Sequence, residues 1–153
     1  MSSSRFPGQG PNFVPAYQVS GIPFVTSSIA PEATAKPVLR IRFPTVTKSI
    51  MIKNTGNEEL RVAFTKSGSY KASEANEDGT PGAGYLSHYF VIPPCNTGGG
   101  DADAPPTVFD VRCKEMFFRS NSSSTAPFSL YAALTGIDQF PIITGSNGFT
   151  GVG

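Results

Sequence analysis

The sequence predicts an all-β fold: one antiparallel β-sandwich of about eight strands, with an extended arm at each end. Three observations predict it. Apolar residues recur at every second position in several short runs, and a period of two places alternate side chains on one face of a strand. Sixteen glycines and fourteen prolines punctuate those runs, which suits many turns and few helices. Charged residues are only 15% of the chain, too few for charge-rich disorder. A single jelly roll is the expected form, because two long polar excursions fit Greek-key crossovers. An immunoglobulin-like sandwich comes second, since the chain has no Trp for that fold's core.

Residues 1–15 read as an arm. Pro7, Gly8, Gly10, Pro11 and Pro15 remove donors and order, and Phe6, Phe13 and Val14 are the large apolar groups. Residues 16–136 form the sandwich. Residues 16–28 make a strand interrupted by Gly21 and Pro23, which predicts an edge position or a bulge. Three alternating runs follow between Val38 and Thr65, and they read as a meander with one apolar face. Its other face is basic, carrying Arg40, Arg42, Lys53 and Arg61. The NTGNEE stretch between the second and third runs is turn chemistry, because Asn side chains bond nearby backbone.

Residues 67–87 are a polar excursion, and 96–106 a second Gly- and Asp-bearing loop. Between them HYFVI is a short strand closed by Pro93 and Pro94. Residues 107–114 alternate again, with Phe109, Val111 and Cys113 on one side. Strands over 116–119 and 128–134 complete the count. Residues 137–153 read as a second arm whose Phe140, Ile142, Ile143 and Phe149 are too apolar for a tail in solvent. That arm is expected to pack on its own sandwich or on a neighbour.

The formal net charge is +1, so general attraction to nucleic acid is not implied. The charge is unevenly spread. Residues 36–71 hold eight Lys/Arg and two Glu, whereas 72–110 hold six acids and no Lys/Arg. These are solvated faces, or the two halves of a contact between subunits. Neither a secretory leader nor a membrane span is apparent, so a soluble, cytosolically made chain is expected. Two cysteines do not make a disulfide framework: Cys113 reads as a small core residue, and a bond to Cys95 is the less favoured reading.

Reactive chemistry finds little support. His88 is the sole histidine, which gives no His-based metal site, and no GxSxG elbow is present. Asp101 and Asp103 lie among glycines, but a full calcium loop pattern is missing. Asn121-Ser122-Ser123 is a glycosylation sequon that a cytosolic chain would not use. Phe (12) outnumbers Tyr (5), favouring core packing over a stacking platform. No catalytic residue, cofactor or metal is expected. Three function classes remain: a structural assembly protein, a carbohydrate-binding β-sandwich module, and an enzyme on a cupin-like barrel, for which one His is too few.

The stretches PNFVPAYQVSGIPFVTSS, SIMIKNTGNEELRVAFT, YFVIPP, FDVRCKEMFFRS and YAALTGI, followed by FPIITGSNGFTGVG, span most of the chain outside the two polar loops. Taken together they resemble the single-jelly-roll capsid proteins of large icosahedral double-stranded DNA viruses of algae and other protists. The resemblance implies a penton or minor capsid protein, with the pentameric vertex subunit first and an inner cement protein next. It implies a virion location after assembly in the host cytoplasm. The implied partners are copies of the same chain and neighbouring major and minor capsid proteins, with no direct nucleic acid and no membrane span. The interface residues expected for such a subunit are Arg40, Arg42, Lys53 and Arg61 on the basic face, with Phe6, Phe13, Phe140 and Phe149 on the arms.

Overall fold

In a computed structural model the chain is all-β, and the structure describes residues 21–35, 37–71, 74, 88–95 and 104–136. Both arms, most of the two long polar loops and the candidate calcium pair Asp101 and Asp103 lie outside the described residues. In chain order the strands are β1 (Ile22–Ala30), β2 (Leu39–Arg42), β3 (Thr47–Asn54), β4 (Leu60–Ala63), β5 (Tyr89–Ile92), β6 (Thr107–Phe109), β7 (Glu115–Ser120) and β8 (Ala126–Leu134). They form two antiparallel sheets of four. The first runs β1-β8-β3-β6 and the second β2-β7-β4-β5. Each strand pairs with its counterpart counted from the other end of the chain: β1 with β8, β2 with β7, β3 with β6 and β4 with β5.

Every second residue of each sheet enters a shared core. Ile50, Ile52, Phe128 and Leu130 enter it from the first sheet, and Leu60, Val62, Met116 and Phe118 from the second. Three phenylalanine pairs bridge the gap. Phe118 of β7 stacks on Phe128 of β8 at 4.5 Å in the middle. Phe24 of β1 meets Phe43, just past β2, edge-on at 5.3 Å. At the opposite edge Phe90 of β5 meets Phe109 of β6 in the same way at 5.3 Å. Such pairs contribute about 0.5–1.5 kcal/mol each beyond the area they bury. Six of the twelve phenylalanines thus serve to close the two sheets on each other.

Two expectations change. The runs read as one meander are not neighbours, because β2 and β4 lie in the second sheet and β3 in the first. The turn after β3 explains the change. Asn54 Oδ1 accepts the Gly56 N–H at 3.0 Å and its Nδ2 donates to the Glu58 carbonyl at 2.7 Å. Thr55 N–H donates to the Pro127 carbonyl, and a Cβ on Gly56 would lie 2.6 Å from Pro127 Cδ. The turn is therefore pressed against the start of β8 and carries the chain across to the other sheet. Local turn chemistry was legible, but its partner strand was not.

The second change concerns residues 110–114. They alternate in sequence, yet β6 ends at Phe109. At β3 the register shifts between Thr47 and Ser49. Buried Thr47 substitutes for a ladder: its Oγ1 lies 2.8 Å from the Val111 carbonyl and accepts the Cys113 N–H at 3.0 Å. Val111 and Cys113 still pack against the core. Cys95 and Cys113 are not joined by a disulfide. Burial pushes the Cys113 thiol above its ordinary pKa, and the Thr47 hydroxyl only partly opposes that. Pro23 does sit on an edge strand, as read, and Gly21 precedes it where a Cβ would come 2.4 Å from that of Ala133.

Candidate assembly surface

The four basic residues expected on one face are separated by the fold. Arg40 and Arg42 project outward from β2, an edge strand of the second sheet among the described residues. They share one carboxylate. Glu115 of β7 accepts from Arg40 Nε at 2.8 Å and from its Nη2, and lies 3.8 Å from Arg42 Nε. All three groups are exposed or partly so, and pairs of this kind contribute about 0–1 kcal/mol to stability. They leave a local excess of one positive charge on an open strand edge. Lys53 is on β3, in the other sheet. Phe6, Phe13, Phe140 and Phe149 lie outside the described residues.

Arg61 is a correction, because it is fully buried and presents nothing to a partner in this conformation. Strand alternation does aim it away from the core, between Leu60 and Val62. That outer face, however, is roofed by the segment after β4, which includes a 3₁₀ turn at Ser67–Ser69. All three guanidinium nitrogens are used. Nη1 and Nη2 donate to the two oxygens of Glu74 at 2.8 Å each, Nε donates to Asn121 Oδ1 at 2.8 Å, and Nη1 also reaches the Ser69 carbonyl at 3.3 Å. The Tyr89 ring lies 4.9 Å from its charge.

Directly opposite Arg61 in the β4–β7 register is Arg119, which is also buried. Its Nη2 donates to the carbonyls of Ala33 and Ala35, and the Tyr70 ring lies 4.4 Å from its charge. Among the described residues its Nε and Nη1 have no hydrogen-bond partner. Burial raises the Glu74 pKa, but the hydrogen bonds from Arg61 and from the Lys71 N–H, with the charges of Arg61 and Arg119, outweigh it and hold the carboxyl below its usual 4.5. Two arginines thereby fasten three separate stretches to the outside of the second sheet: residues 33–35, residues 69–71 with Glu74, and the Asn121 turn. The sequon asparagine is committed here, since its Nδ2 donates to Glu59 as well.

The reading of the sequence missed Arg119 and Asn121. The signal that finds them is the pairing of β4 with β7, a long-range fact that no local pattern holds. His88 is half-buried just before β5. Among the described residues no three His, Cys, Asp or Glu side chains converge as a metal site, and no helix is long and apolar enough to cross a membrane. Compared with protein-family models, curated proteins and solved structures, the chain gives no match.

Proposed function

We propose that this chain is a single-jelly-roll structural subunit of a large icosahedral virus shell, assembling with copies of itself as the five-membered vertex ring. The observation that carries the reading is the pairing of each strand with its mirror in chain order, alternating between the sheets. One long hairpin, wrapped into two layers, produces that pattern, and it is the wrapping of a jelly roll. The resemblance of the sequence to capsid components of this size supplies the biological role. A ring uses two different patches on each subunit. The β2 edge with Arg40 and Arg42 is the basic one; the acid-rich 72–110 stretch, expected to supply the other, lies largely outside the described residues, and its Glu74 is taken up by Arg61. Lys53 and Arg61 are not needed for it.

Electron microscopy of the purified full chain tests this: five-membered rings are expected, and the chain should map to the vertices of the virion. Replacing Arg40 and Arg42 by Glu should weaken rings about tenfold or more at physiological salt, since like charges would then face each other. Rings that persist unchanged would remove the β2 edge from the contact. A chain that stays monomeric and is absent from virions would remove the shell role. An inner cement protein is the second reading. A carbohydrate-binding module is less well supported, because among the described residues the exposed aromatics Phe90 and Tyr131 sit on different sheets.

A further inference from the structure

The two sheets differ on their outer sides. The second sheet is roofed by its own loops around Arg61 and Arg119. The first sheet carries an open apolar row. Val25 of β1 pairs with Tyr131 of β8, Tyr131 with Met51 of β3, and Met51 with Val108 of β6, so one straight line of side chains crosses all four strands. All four point away from the core, and they are 71%, 39%, 39% and 54% exposed respectively. Ile29, four residues beyond Val25 on the same face, is also exposed. A straight apolar row with no polar interruption is not what a solvated sheet face shows; antiparallel sheets normally put polar residues there.

From this row we infer that the outer face of the first sheet packs against the same face of a second copy of this chain. Three arguments select that occupant. The first is area. Strands of nine, nine, eight and three residues (β1, β8, β3 and β6), at about 3.3 Å per residue and about 4.8 Å per strand, give a face on the order of 450 Å². A standard interface takes about 800 Å² from each partner, so this face supplies most of one side. The second is charge. The flanking row is Ser27, Ser129 and Lys53, and its lysine is the only charged member of the two rows. An apolar surface with a single lysine in these rows can meet a copy of itself, whereas the Arg40–Arg42 edge would meet like charge. The third is geometry. Two twisted sheets pack face to face about 10 Å apart with strands roughly 30° off parallel, and side chains as small as Val and Met interdigitate readily at that spacing. The contact is two-fold and separate from the ring edge, so it goes beyond the function proposed above and concerns the chain in solution.

The test uses the full chain. Sedimentation velocity at micromolar concentration should show a two-fold pair, or a ring paired through this face. Val25→Lys and Val108→Lys lie at opposite edges of the sheet on exposed side chains, so folding should be kept, with circular dichroism as the check. Each should raise the dissociation constant of the pair at least about tenfold. Tyr131→Cys, central in the row, should give a covalent 131–131 dimer under mild oxidation, identified by mass spectrometry. An association unchanged by both lysines, or no 131–131 link, overturns the inference and leaves the ring intact as a separate result. A wild-type chain that is monomeric overturns it as well, while virion mapping decides the shell role independently. A wild-type chain whose face is shielded from labelling at Tyr131 while it sediments as a monomer would assign the row to the chain's own arms.

Discussion

At the level of single residues, the side chains that matter most are the ones alternation alone would send to solvent. Arg61 and Arg119 face outward and are nevertheless buried, each over a tyrosine ring. A buried guanidinium is costly unless its donors are met; Glu74 meets two of Arg61's, whereas Arg119 relies on the Ala33 and Ala35 carbonyls and the Tyr70 ring. Glu74→Gln should therefore cost about 1–3 kcal/mol at neutral pH, the range for hydrogen bonds to charged groups, read as a lowered urea midpoint. The sign with pH follows from the depressed pKa. With a folded-state value below 4.5, the contribution of Glu74 is complete above that pH and is lost as pH falls through the folded value. Wild type should converge on Glu74→Gln in acid, and a gap between the two that stays constant down to pH 3 would show that the carboxylate charge is not the cause.

At the level of elements, strands were legible and neighbours were not. Residue alternation located most of β1 to β8 because a half-buried strand must show it. It misjudged 110–114, where the Thr47 hydroxyl replaces ladder bonds while leaving Val111 and Cys113 inward. It also joined β2, β3 and β4 into one sheet, because turn residues report that the chain reverses and not which layer it enters. Gly56 shows the missing information, since its tolerance is set by Pro127, far along the chain. Gly56→Ala should cost about 1–3 kcal/mol through overpacking against a rigid ring, measured by chemical denaturation. An unchanged midpoint would mean that the crossover turn gives way easily. The basic face was legible only in part, because burial of Arg61 depends on a roof supplied by another segment.

For the molecule as a whole, the two sheets present opposite characters: one covered and charged, one bare and apolar. That division suits a building block with separate contacts for separate neighbours. It also carries a consequence for how the chain is made. The strands at the centre of the sheets include β8 and β7, which come last among the described strands in chain order, and β8 is what holds β1 beside β3. A ribosome-bound chain that stops before residue 115 lacks the middle of both layers, so its earlier strands have no lasting partner and should be cut as readily as an unfolded peptide. Limited proteolysis of stalled nascent chains should show protection arising only once residue 134 has cleared the exit tunnel; protection at shorter lengths would mean that β3, β4, β5 and β6 hold together alone. The two layers are thus expected to be born together, once β8 has emerged, rather than strand by strand.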